Sequence, residues 1–119
     1  MSLAPALLIH GRTLLRHAEL YRNDIALCCL DHTADRIIAA QAADELLNIS
    51  GIQASFVFYP DGNQVICSAR SIGEANVQMI LEPLGGGGNQ ATAGAQIKGA
   101  TPEAVRDALK ASIDDFFSE

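Results

Sequence analysis

The segment ASFVFYPDGNQVICSAR, residues 54–70, decides the fold. Two strand-like runs, Ala54 to Tyr59 and Gln64 to Arg70, flank Pro60-Asp61-Gly62-Asn63, whose residue types suit a tight turn, so the segment predicts a β-hairpin. Side chains alternate along a strand. Val65, Cys67 and Ala69 are therefore expected on one face, and Ile66, Ser68 and Arg70 on the other, with Arg70 at the strand's exit.

Working outward, Ile25 to Leu30 is a continuous apolar run between Asn23-Asp24 and Asp31, which suits a strand buried on both faces. Thr33 to Asn48 places Ala34, Ile38, Ala42 and Leu46 at helical spacing and ends at Asn48-Ile49-Ser50-Gly51, a helix stop. Beyond the hairpin, Val77, Ile80, Leu81 and Leu84 predict a short helix that runs into Gly85. Ala93 to Lys98 reads as a small-residue turn leading into a short strand. Thr101-Pro102-Glu103 then carries the signals of a helix start, with Val105, Leu109, Ile113 and Phe116 as the buried stripe. Asp114 and Asp115 near its end oppose the helix dipole and predict fraying. The order of elements gives an α/β (α+β) fold, a mixed β-sheet of about four to five strands with helices packed on it. Residues 1–18 are expected to be a lead-in or linker helix interrupted by Gly11, with an expression scar at 1–3, and residues 19–119 the domain proper.

The chain has 119 residues, 49% hydrophobic and 18% charged, the composition of one globular domain. A net charge of -6 and a pI near 4.9 exclude a basic, sequence-independent nucleic-acid binder, so any anionic ligand must be gripped by a few local groups. Three cysteines, two of them adjacent, make no disulfide framework and no zinc spacing, which points to a reducing, cytoplasmic setting. The start of the chain has neither a basic n-region nor an apolar run long enough for a signal peptide or membrane span.

The chemistry-bearing feature is the run Gly85, Gly86, Gly87, Gly88. Without Cβ atoms, successive N–H groups can converge on an anion, and Asn89 and Gln90 add side-chain donors. The alternative is a flexible turn. Arg70 and Ser71 at a strand end and Asn76 at a helix start are placed to meet the loop, a guanidinium being able to hold phosphate bidentately. Against this, Arg70 could pair with Asp61 or Glu74 at the surface. Asp31-His32-Thr33-Ala34-Asp35 contains metal-ligand types but lacks a completing cluster, so strand-end and capping roles are preferred. His10 and His17 have no evident partners. Cys67 reads as core packing rather than a nucleophile, and Asp44 and Glu45 as a solvated helix face.

The run Ser68-Ala69-Arg70-Ser71-Ile72-Gly73-Glu74-Ala75-Asn76-Val77, followed by Leu84-Gly85-Gly86-Gly87-Gly88-Asn89-Gln90-Ala91-Thr92-Ala93-Gly94-Ala95, resembles the DHHA1 domain of DHH/DHHA1 phosphoesterases. Ala40 to Leu47 and Ala54 to Val57 are most similar to the membrane-anchored cyclic-di-AMP phosphodiesterase branch. The resemblance implies a nucleotide-binding domain for cyclic-di-AMP or its linear product pApA, inactive by itself. It further implies an upstream DHH domain of the same protein that carries manganese and the hydrolytic chemistry, and a cytoplasmic location under a membrane-anchored parent. Arg70 and Ser71 would contact phosphate or sugar, and Gly85 to Gly88 would let the ligand approach the backbone. The family's loop usually ends in histidine where this chain has Asn89, which can donate a hydrogen bond but never a positive charge. Two alternatives stand beside this reading: a DHHA1 domain of an oligoribonuclease, pAp phosphatase or exopolyphosphatase-like protein, and a structural or homodimerising domain whose glycines form a packing turn.

Overall fold

The computed structural model describes residues 8–9, 12–13, 18–30 and 35–118. Leu8–Ile9 (β1) and Arg12–Thr13 (β2) pair antiparallel, so the lead-in helix expected within residues 1–18 is replaced, where described, by a two-residue ladder. The apolar pattern there, interrupted in the sequence by Gly11, is too short to sustain an isolated helix. Ala18 already belongs to the main sheet.

That sheet has six strands in the order β3-β4-β5-β6-β8-β7. They are β3 (Ala18–Tyr21), β4 (Ile25–Cys29), β5 (Ala54–Asp61), β6 (Gln64–Ser71), β7 (Gly87–Gly88) and β8 (Thr92–Lys98). β4 and β5 run parallel and every other neighbouring pair is antiparallel. The parallel pair requires a crossover, supplied by helix α1 (Arg36–Leu46). The predicted hairpin is β5–β6, in register from Ala54↔Ser71 to Asp61↔Gln64, and it turns through Gly62 at φ 62° and Asn63. The strand count exceeds the expectation because β3 and the two-residue β7 join the sheet's edges.

Both faces of the sheet are covered, which explains the unbroken apolar run of β4. Ala26, Cys28, Val57 and Ile66 pack with Ala39, Ala42, Ala43 and Leu46 of α1. Ile25, Leu27, Phe56, Phe58, Val65, Cys67 and Ala69 face the other layer, formed by α2 (Val77–Leu81) and α3 (Pro102–Phe117). The alternation expected for β6 is thus the division between two cores.

Two buried serines lock helices to this frame. At the end of α1 the ladder tightens, Leu47 N–H donating to Asp44 O rather than only further back. The buried Ser55 hydroxyl donates to Ala43 O at 2.7 Å. Ser112 of α3 donates likewise to Ile80 O of α2, joining the two helices of one layer. Gln53 ties three loops together, donating to Asp24 Oδ2 at 2.7 Å and accepting from Ala75 N–H at 2.9 Å.

α3 begins as expected, with Thr101 Oγ1 accepting from Ala104 N–H at 3.2 Å. The predicted fraying at Asp114 is not observed: the helix continues to Phe117. Asp114 accepts from the Tyr21 hydroxyl at 2.7 Å and from Arg22 Nη1 at 3.0 Å, so tertiary partners offset the unfavourable dipole. One turn back, Glu19 lies 3.0 Å from Arg106 Nε and 3.1 Å from Lys110 Nζ, joining β3 to α3 by ion pairs.

The Tyr21 hydrogen bond holds the Asp114 carboxyl below its ordinary value of 3.8, and the same bond raises the Tyr21 hydroxyl above 10.0. A depressed carboxyl contributes stability above its unfolded pKa that is lost as pH falls through the folded one. A raised phenol contributes stability below its unfolded pKa that is lost as pH rises through the folded one. Tyr21→Phe should therefore lower the urea midpoint by a constant amount from roughly pH 5 to pH 9. The gap from the parent should close below pH 3.8 and above pH 10.0. A gap unchanged through the acid limb would show that this bond is not what shifts the two groups.

Candidate functional site

The glycine run begins as a helix terminus. After α2 the chain tightens into a 3₁₀ turn, Glu82–Leu84, and Gly85 adopts the left-handed backbone at φ 87°. Gly85 N–H donates to Glu82 O and Gly86 N–H to Leu81 O, each at 2.9 Å, the pair of bonds that defines a Schellman end. Two of the amides expected to converge on an anion are thus held by carbonyls within the chain. At Gly85 and Gly86 the loop is a helix end rather than a nest of free N–H groups.

Each glycine has its own reason. A Cβ on Gly86 would stand 2.7 Å from Gly94 O and 2.9 Å from Leu81 Cβ. On Gly88, at φ 145°, it would stand 2.4 Å from Thr92 O. Gly87 has neither a left-handed backbone nor any atom within 4 Å of its missing Cβ, so the fold does not require glycine there. Gly94 has ordinary backbone, but a Cβ there would stand 3.2 Å from Cys67 O, a backbone atom of the neighbouring strand, so close packing gives this glycine a reason of its own.

The register brings Gly87 and Gly94 together. Ser68 pairs with Gly94, and Gly94 with Gly87, so one row across β6, β8 and β7 is nearly bare of side chains. On β5 the same row carries Val57, which is buried beneath α1. Beyond the helix the bare row forms the floor of an open cleft of about 500 Å³. The neighbouring rows carry Ile66–Gln96 on one side and Arg70–Thr92 on the other. Arg36 and Ala40 of α1 form one wall and Gly85 to Gly87 the opposite one. Among the described residues, two guanidiniums and no carboxylate line the cleft, in a chain whose net charge is -6.

Of the residues singled out from sequence, Arg70, Gly85, Gly86 and Gly87 line this cleft. Arg70 pairs with Asp44, 3.1 Å from Nε to Oδ1, rather than with Asp61 or Glu74. The remaining predicted residues have structural tasks. Ser71 is buried, with its Oγ accepting from Gly73 N–H at 3.2 Å. Asn76 caps α2, its Oδ1 accepting from Met79 N–H at 3.0 Å. Asn89 Oδ1 accepts from both Ala91 and Thr92 N–H at 2.9 Å and so shapes the reversal between β7 and β8. Exposed Gln90 offers its backbone carbonyl to Val77 N–H at 3.1 Å. Gly88 holds the loop against β8.

Sequence reasoning did not single out Arg36, Ser68, Gly94 or Gln96 as ligand contacts. They meet only through strand register and the crossing of α1 over the sheet; a signal existed in the alternation that put Ser68 on Arg70's face. Among the described residues no group of three or more His, Cys, Asp or Glu is placed to hold a metal ion. His10, His17 and the stretch from Asp31 to Ala34 lie outside the described residues. Burial pushes the Cys67 thiol up to about 12, which suits a packing residue and not a nucleophile. Among the described residues no helix is long and apolar enough to cross a membrane.

This architecture is a mixed α/β sheet layered between helices, with a basic, glycine-floored cleft beside its short edge strand. Residues 23–119 match the family model of the DHHA1 domain, and the chain belongs to that family. It is 40% identical over 109 residues to the cyclic-di-AMP phosphodiesterase GdpP of Bacillus subtilis strain 168, covering 87% of this chain and 16% of that protein. It is 39% identical over 107 residues to the cyclic-di-AMP phosphodiesterase PdeA of Listeria monocytogenes serotype 1/2a strain 10403S, with the same coverage of 87% and 16%. The chain thus spans about a sixth of the length of these relatives. Among solved structures, an exopolyphosphatase-related protein of Bacteroides fragilis superposes with a TM-score of 0.70 at 19% identity, over 84% of this chain and 32% of that one, a likeness of fold.

The glycines should separate by substitution. Gly86→Ala is expected to lower stability by about 1–3 kcal/mol, because backbone and a core side chain must move. Gly87→Ala should leave the denaturation midpoint unchanged or slightly higher. Equal losses at the two positions would contradict these distinct roles.

Proposed function

We propose that the cleft binds a nucleotide phosphodiester, cyclic-di-AMP or its linear product pApA, and that the chain is the substrate-binding part of a DHH/DHHA1 phosphodiesterase. The observation that carries this reading is the row Ser68–Gly94–Gly87, nearly bare of side chains, with a glycine at 87 that the fold does not require, and flanked by Arg36 and Arg70. A phosphate laid on that floor meets backbone at close range and two permanent cations, while the Ser68 hydroxyl and Gln96 amide can complete its hydrogen bonds. A cleft of about 500 Å³ falls in the range of small-molecule sites. The identity to two cyclic-di-AMP phosphodiesterases supports this choice of ligand.

The donor set of the cleft, guanidinium, hydroxyl and amide, does not suit a divalent cation. Manganese chemistry is accordingly assigned to a DHH domain of the parent protein, which would approach the open side of the cleft and cleave what this chain positions. Alone, this chain binds and does not hydrolyse. The parent would present it on the cytoplasmic side of a membrane.

Calorimetric titration with cyclic-di-AMP and pApA tests the proposal. Arg70→Ala should weaken binding by ~10–100-fold, the range of a lost charge-assisted hydrogen bond. Gly87→Val should abolish binding with the thermal midpoint preserved, since its side chain would occupy the floor without touching the fold. Parent-like affinity in folded Gly87→Val would refute the site.

A further inference from the structure

Asp44 occupies the second half of α1 with its side chain 64% exposed, yet its Oδ1 accepts from Nε of Arg70, whose own side chain is only 19% exposed. Another N–H of that guanidinium, on Nη1, donates to Ala69 O at 2.9 Å. A guanidinium has five N–H donors. These two contacts orient the group and leave one N–H on Nη1 and both on Nη2 for another acceptor.

The separation of the pair is set by the fold. Ser55 is Arg70's direct neighbour on β5, and its buried hydroxyl donates to the carbonyl of Ala43, the residue before Asp44. The same strand row therefore holds both the helix that carries Asp44 and the strand that carries Arg70. An ion pair at this exposure contributes little to stability. Its consequence lies in where the guanidinium points.

We propose that Asp44 is a positioning residue for anion binding: it holds Arg70 with the Nη1–Nη2 edge presented to the cleft before a ligand arrives. The proposal rests on the phosphodiester reading of the cleft. Without Asp44 the arginine samples other rotamers, and the ligand must order it on binding, which costs about three- to tenfold in affinity. The opposite expectation is that Asp44 neutralises Arg70 and repels an anion. Its exposure to solvent, where charge is screened, makes the geometric effect the larger one.

The substitutions Asp44→Ala and Asp44→Asn separate the two effects, because asparagine retains an acceptor for Nε while removing the charge. Asp44→Ala should weaken cyclic-di-AMP and pApA binding about three- to tenfold, and Asp44→Asn should bind as the parent or more tightly. In an Arg70→Ala background, which has no guanidinium for Asp44 to hold, Asp44→Ala should have no further effect. Unchanged or tighter binding by Asp44→Ala, or an equal loss in the Arg70→Ala background, overturns the proposal.

A ligand-free readout distinguishes this failure from failure of the functional reading. The Arg70 Nε–H resonance should exchange slowly in the parent and Asp44→Asn and rapidly in Asp44→Ala. Absence of nucleotide binding by the parent with that pattern intact refutes the phosphodiester reading while Asp44 still holds Arg70. Identical exchange in all three proteins overturns the positioning itself.

Discussion

The approach of the glycine loop to strand β8 is the constraint on which the site depends. Gly86 and Gly88 bring their backbone so near to Gly94 O and Thr92 O that no Cβ fits between. That contact turns the end of α2 into a sixth strand and sets Gly87 opposite Gly94. It also leaves the sheet's edge without side chains where α1 no longer covers it. The cleft is a by-product of backbone packing against backbone.

A division of labour among the glycines follows. Gly85 supplies the left-handed backbone of a Schellman end, and Gly86 and Gly88 permit close approach. Gly87, with Gly94 beside it, serves an open floor. The charge follows the same economy of placement. Among the described residues of this acidic chain, no acidic side chain lines the cleft and two guanidiniums do, one of them paired with a carboxylate. Local arrangement thus counters a net field that would otherwise repel phosphate.

Much of this was legible in the sequence where local chemistry decides structure. The hairpin of residues 54–70 and its two faces followed from alternation, and the starts of α2 and α3 from Asn76 with the apolar spacing and from Thr101-Pro102-Glu103. What depended on distant partners was not legible. β3 is four residues long and turns through Arg22 and Asn23, both with positive φ, which no glycine announces. The end of α3 was expected to fray because its partners Tyr21 and Arg22 lie more than ninety positions away. Asp44, 26 residues from Arg70, read as a solvated face for the same reason. Ser71, Asn76 and Asn89 have the right chemistry for ligand contact, and in the fold their side-chain oxygens accept from nearby amides. Small polar residues near turns satisfy backbone first.

The central claim is that the row Ser68–Gly94–Gly87 is a phosphate floor. A crystal structure of the chain with pApA tests it most directly. The account predicts a phosphate in van der Waals contact with Gly87 and Gly94 and within hydrogen-bond reach of the Arg70 Nη1–Nη2 edge. A nucleotide bound elsewhere on the chain, with that row empty, would contradict it.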